Sequence, residues 1–210
     1  MIKEQILKDT EEIFKNADNS HDFLHTKRVL NLVLELAKDF PQIEEDVIYA
    51  TCCFHDVGRT IPQEGVNHAI ISANYARENL NKYGFTSQQI EEIASAIETH
   101  SWSLGREPKS LLGELLQDGD RIDSLGAIGL ARMFSFLNES ERTLYNVEDP
   151  FCKSDRKPND KKYTIDHLFT KLFSIPSKLH TEKAKKIATK RVEFMKSFLE
   201  QMGMEIKGEI

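Results

Sequence analysis

VIYATCCFHDVGR, residues 47–59, decides the fold of this 210-residue chain. Val47, Thr51, Phe54 and His55 fall at steps of four, three and one, so a single helical face carries them all. The apolar run then ends in His55-Asp56, two polar groups that are costly to bury without a partner. Gly58 follows as a C-terminal stop for the helix. A bound metal ion explains the pair, and so does a capped helix end with an incidental hydrogen bond. Neighbouring His and Asp are too common for the pair to decide, so other ligands must come from elsewhere in the chain.

Working outward, apolar residues recur at three- and four-residue steps, and alternating strand patterns are missing. Ile6, Leu7, Ile13 and Phe14 mark a first amphipathic helix. A second is expected from about Asp22 to Asp39, with His25, Val29, Leu32 and Leu36 on one face and Pro41 beyond its end. A fourth, from about Asn67 to Lys82, stacks His68, Ile71, Ser72 and Tyr75 before Gly84. Thr86 and Gln89 form a capping-box pattern for a fifth, whose face runs Ile90, Ile93, Ile97 and His100. A sixth begins near Pro108 and aligns Leu112, Leu116, Asp120, Asp123 and Ala127. Thr164 and Thr181 read as N-caps of two C-terminal helices. The expectation is an all-α fold: one helical bundle domain over 1–210, with a core at about 20–135 and C-terminal helices over 164–203. Between them, residues 139–163 are polar and broken by Pro150 and Pro158, the pattern of a lid, a binding loop or a disordered segment.

Composition narrows the function classes. Hydrophobic content of 40% beside 30% charged residues is that of an ordinary globular protein, and the formal charge of -6 argues against stable nucleic-acid binding. Cys52, Cys53 and Cys152 show no CxxC spacing, which favours reduced thiols over a disulfide framework. With no secretory pattern at the first residues and no long uncharged apolar run, a cytoplasmic protein without membrane contact is expected.

Four metal-capable residues share faces that otherwise look buried: His25, His55, Asp56 and Asp120. Two imidazoles and two carboxylates form a mixed N/O donor set for a first-row divalent metal. A six-coordinate ion would keep positions open for water and a substrate oxygen. The order of these residues resembles the HD-domain superfamily of metal-dependent phosphohydrolases, whose signature is a histidine, an adjacent His-Asp pair and a distant aspartate. Here they stand in SHDFLHTKRV (20–29), CFHDVGR (53–59) and LQDGDRIDSLGAIG (116–129). The longer run DGDRIDSLGAIGLAR and the tail from residue 161 to residue 199 look like those of small bacterial HD hydrolases.

The resemblance implies that His25, His55, Asp56 and Asp120 hold a divalent ion, whether Mn, Mg, Ni, Co, Fe or Zn. Asp118 competes with Asp120, and Asp120 is preferred because it matches the family's position before Arg121. His68 and His100 resemble extra histidines of several subfamilies that bind a second metal or contact phosphate, so one ion is expected and a second is open. Asp56 and His100 are the candidate catalytic residues. Arg59 is either a bidentate phosphate contact or an exposed surface arginine. Asp123 and Lys171 are further substrate candidates, and Arg156 and Lys157 weaker ones. His21 reads as a surface or capping residue, and His167 and His180 as structural. The implied activity is hydrolysis of a nucleotide or another small phosphorylated compound by a metal-activated water. Two rivals stand beside it: a di-iron oxygenase on the HD fold and a nucleotide-binding module without turnover. GxxxxGK[ST] and GxGxxG phosphate loops are both absent.

Overall fold

Helical stripes of buried side chains organise the chain, and a computed structural model describes residues 2–16, 22–61, 63–135 and 142–209. Its contacts fall into two compact units, Met1–Asp120 and Arg121–Ile210. In the first, α1 (Ile2–Ile13) buries Ile6 and Thr10, and α2 (Phe23–Ala37) buries His25, Thr26, Val29, Leu30, Val33 and Leu36. Helix α3 (Glu45–Phe54) is buried almost all round, as befits a central helix. It packs against α1, α2, α4 (His68–Asn79) and α5 (Ser87–His100). Helix α6 (Leu111–Asp123) lays Gly119 against α2, where an added Cβ would stand 2.6 Å from Val33 Cγ2. That close approach brings the start of α2 beside Asp120.

The helix starts follow their capping chemistry. Asp22 accepts from the His25 N–H, and Asn67 from the Ala69 N–H. The Thr86–Gln89 capping box is formed as expected, and Gly84 takes a left-handed φ of 85° before it. His21 lies outside the described residues.

The second unit contains α7 (Gly126–Ser135), α8 (Asp166–Thr170), a 3-10 stretch Leu172–Lys178 and α9 (Glu182–Lys207). Helix α7 packs on α9, with the Phe134 and Phe198 rings 5.8 Å apart. Two expectations need correction here. The sixth helix does not run through Ala127 but stops at Asp123. The Ser124 hydroxyl donates to the Arg121 carbonyl at 2.6 Å, and Gly126 turns the chain at a φ of 76°. Thr164 is not a helix cap either. Its N–H donates to the Thr143 carbonyl at 3.0 Å beside the Thr143–Tyr163 bridge, so α8 starts only at Asp166. Thr181 does cap α9, accepting from the Ala184 N–H.

Residues 142–163 are ordered by their own polar groups; 139–141 lie outside the described residues. Asp149 accepts from the Lys153 and Ser154 N–H groups and the Ser154 hydroxyl. Arg156 donates to the buried Asp166 carboxylate at 2.6 and 2.8 Å and to the Asp149 carbonyl. No strand occurs among the described residues, so the all-α expectation holds. None of the described helices is long and apolar enough to cross a membrane.

Candidate metal centre

Two helices of the first unit end in histidine, and each ring folds back on its own last turn. His55 caps α3 and places Nδ1 2.7 Å from the Cys52 carbonyl; His100 ends α5 with Nδ1 2.6 Å from the Ile97 carbonyl. Carbonyls of a last helical turn lack intrahelical donors, and the ring N–H supplies one. The proton is thereby fixed on Nδ1, and each Nε2 is left with its lone pair facing inward. Gln117 of α6 steadies the end of α5 by donating to the Thr99 carbonyl at 2.8 Å.

Asp56 follows in a short 3-10 turn, Val57–Arg59. Here Gly58 does something other than stop a helix: α3 already ends at Phe54, and Gly58 has no left-handed φ. It sits where α4 begins, its N–H donating to the Ser72 hydroxyl at 2.8 Å. A Cβ there would lie 2.2 Å from the His68 carbonyl oxygen. The missing side chain lets α4 carry His68 up to Asp56.

The result is two triangles of donor atoms sharing one carboxylate. His25 Nε2 and His55 Nε2 are 3.3 Å apart and stand 3.7 and 3.6 Å from Asp56 Oδ2. His68 Nε2 and His100 Nε2 are also 3.3 Å apart and stand 3.2 and 3.4 Å from Asp56 Oδ1. Among the described residues these two sets are the groups of donors close enough to share an ion. Oδ1 is buried and accepts no hydrogen bond, although two ring nitrogens lie near it. A buried carboxylate oxygen without a donor is costly unless something else satisfies it.

The donor spacing fits a cation. Metal–ligand distances of about 2.1 Å place neighbouring ligands about 3.0 Å apart in an octahedron and about 3.4 Å in a tetrahedron. Asp120 stands at the margin, its Oδ1 3.4 Å from His25 Nε2 and its side chain 27% exposed. It stands beside His25 without joining the tight triangle. Asp118, the competing carboxylate, is fully buried on the same helix and belongs to neither triangle.

Electrostatics match this arrangement. Burial pushes the His55 imidazole down to about 4, outweighing the neighbouring Asp56, so the ring is neutral at ordinary pH. Burial also lowers His68, against the pull of Asp56. For Asp56, burial alone would raise the carboxyl, but His55, His100, His68 and Arg59 hold it well below the usual range. Asp120 is likewise lowered, its desolvation overcome by His25.

Arg59 is not a plain surface residue. Its Nε lies 2.9 Å from Asp56 Oδ2 and its Nη2 3.0 Å from His68 Nε2, with the side chain 30% exposed. Asp123 and Lys171 fall in the second unit. Asp123 is buried there and accepts from Arg132 at 2.9 Å, and Lys171 ends α8. Arg156 is engaged with Asp166, and His167 Nδ1 lies 2.9 Å from Asp160. The sequence put His25, His55, His68 and His100 on helical faces, and the family resemblance singled out His68 and His100 as extra histidines. Sequence reasoning missed Gln117, Ser72 and the true use of Gly58, none of which carries a local signal of a distant contact.

Comparison with known proteins points to a family. The HD domain family matches residues 22–125, a span that includes all six metal-capable residues. Bacillus subtilis YpgQ is 25% identical over 209 residues, covering 98% of this chain and 94% of its own. A Clostridium beijerinckii protein is 30% identical over 110 residues, covering 51% of this chain and 65% of its own. Among solved structures, a predicted HD superfamily hydrolase from an uncultured Thermotogales bacterium superposes with a TM-score of 0.69 at 28% identity, covering 96% and 91% of the two chains. B. subtilis YpgQ in complex with ADP gives 0.75 at 21% identity, covering 97% and 94%. With its all-helical architecture and its His, His-Asp and Asp in order, this chain belongs to the HD superfamily of hydrolase-like domains.

Proposed function

We propose that the protein is a metal-dependent phosphohydrolase acting on a nucleotide or a similar small phosphorylated compound. The observation that carries this reading is Asp56, whose two oxygens each face a pair of histidine nitrogens while Oδ1 accepts no hydrogen bond. In this reading His25, His55, Asp56 and Asp120 would hold one divalent ion, and Asp56, His68 and His100 would hold a second. Such ions would supply a water of lowered pKa and polarise a phosphoryl oxygen.

The chain's own residues do the rest. The Cys52 and Ile97 carbonyls keep His55 and His100 in the Nε2-lone-pair tautomer, which makes His100 a ligand rather than a proton donor. Burial of Asp56 between four rings excludes water from the carboxylate. Arg59 offers a planar fork suited to phosphoryl oxygens. The nucleotide preference is supported by the relative YpgQ, whose crystal structure contains ADP.

The test has two arms. Elemental analysis should show bound metal in the purified protein, lost in Asp56→Asn and reduced in Asp120→Asn. Phosphate release should then be screened over nucleoside mono-, di- and triphosphates and simple phosphomonoesters with Mn2+, Mg2+, Co2+, Ni2+, Zn2+ and Fe2+. Two bound irons with oxygen uptake and no phosphate release would overturn the reading. So would saturable nucleotide binding without turnover in any metal.

A further inference from the structure

We propose that Arg59 competes with the second cation for a single lone pair, that of His68 Nε2. The inference rests on reading the Asp56–His68–His100 triangle as a cation site. Arginine has donors only, so the 3.0 Å contact between Arg59 Nη2 and His68 Nε2 requires the imidazole nitrogen to accept. A neutral imidazole nitrogen has one in-plane lone pair. While Arg59 uses it, His68 cannot coordinate.

The two triangles are therefore unequal. Arg59 Nε also touches Asp56 Oδ2 at 2.9 Å, but a carboxylate oxygen has two lone-pair directions and can serve an ion as well. His25, His55 and Asp56 Oδ2 thus remain a complete donor set. On the other side Asp56 Oδ1 accepts no hydrogen bond and His100 Nε2 lies 3.3 Å from His68 Nε2, which leaves two donors of three while Arg59 holds the His68 lone pair. Arg59 stands in for the missing positive charge and satisfies His68 in its place.

The consequence is an exchange. Arg59 ends a short turn and its side chain is 30% exposed, so the guanidinium has solvent to swing into. Entry of a second ion displaces it, and the freed fork becomes available to an anionic phosphoryl group beside the ions. By linkage, whatever anion draws Arg59 away must tighten the second ion by the same factor. A phosphorylated substrate would thus help assemble the two-ion centre.

The test uses metal binding and needs no turnover. Mn2+ is titrated into metal-free wild-type protein and Arg59→Met by calorimetry, with electron paramagnetic resonance at one and two equivalents. Circular dichroism melts check that both proteins are folded. Breaking a charge-assisted hydrogen bond sets the scale, so the second equivalent should bind about tenfold tighter or more in Arg59→Met. The first should change by less than about threefold, because its donor set is already complete. At two equivalents the variant should show an exchange-coupled pair, while wild type keeps more isolated ion signal.

Equal tightening of both equivalents would reduce Arg59 to a distant charge and overturn the proposal, as would an unchanged or weaker second equivalent. If neither protein binds Mn2+, the metal centre itself fails and this proposal falls with it. If the binding pattern holds but no phosphate is released from any substrate, the exchange stands and only the hydrolytic reading is lost.

Discussion

Gly58→Ala offers a severe test, because the structure gives it no room. The added Cβ would lie 2.2 Å from the His68 carbonyl oxygen, 2.9 Å from Ile71 Cβ and 2.9 Å from the Ser72 nitrogen. An ordinary carbon–oxygen contact is about 3.2 Å, so α4 must back away by about 1 Å. Two of the three obstructing atoms are backbone, which no rotamer change can move. The expected overpacking cost is about 3 kcal/mol, the upper end for such changes. Restricting the unfolded chain returns about 0.5–1 kcal/mol, leaving a net loss of about 2–2.5 kcal/mol.

With a urea slope of about 2 kcal/mol/M, the unfolding midpoint should fall by about 1 M. Trp102, the single tryptophan, lies just past the end of α5 and gives a local fluorescence signal for this unit. His68 moves with α4, so Mn2+ binding at the second equivalent should weaken as well. Gly113→Ala is the control. Its nearest obstruction is Pro108 Cβ at 3.1 Å, and better helix propensity of about 1 kcal/mol offsets the crowding, so its midpoint should barely move. A Gly58→Ala midpoint within about 0.3 M of wild type, with metal uptake intact, would refute the close-approach argument.

Other outcomes follow from the second unit. Arg156→Met strips the fully buried Asp166 carboxylate of two hydrogen bonds and should cost about 3 kcal/mol in urea unfolding at neutral pH. Burial alone would raise the Asp166 carboxyl, but Arg156 and the Asn159 N–H hold it below its usual range. A carboxyl with a depressed folded pKa stabilises fully above its unfolded value of about 4, and this stability is lost as pH falls toward the folded value. Melts of wild type and Arg156→Met should therefore converge below about pH 4, and a gap that does not change with pH would contradict the pairing. Cys152 holds a φ of 51°, a region that asparagine tolerates better. Cys152→Asn should raise the melting temperature by about 1–2 °C, and a drop would show that the thiol contact to Asp166 matters more.

The candidate site was legible in the sequence to the extent that its residues lie on helical faces. His25 sits on the α2 stripe with Val29 and Leu36, and His100 closes the Ile93–Ile97 face. Each could be placed inward by counting residues, because burial of an amphipathic face follows its period. The end of α6 was misjudged for the same reason. The spacing of Asp120, Asp123 and Ala127 continues a helical face, while the break comes from Ser124 bonding back to Arg121 and from the left-handed Gly126. Thr164 failed as a cap because the Thr143–Tyr163 pairing had already claimed its backbone.

By itself the sequence determined that the described elements are helical and that His25, His55 and His100 face inward, since periodicity is a local property that each helix obeys alone. It also fixed the order of the His, His-Asp and Asp that marks the superfamily. Only the tertiary structure decided that the two oxygens of Asp56 are divided between two histidine pairs and that Arg59 turns back onto one of them. Those facts depend on how closely α4 can approach the turn after α3. That distance is set by the absent side chain of Gly58 against the His68 backbone, a contact between positions with no shared period.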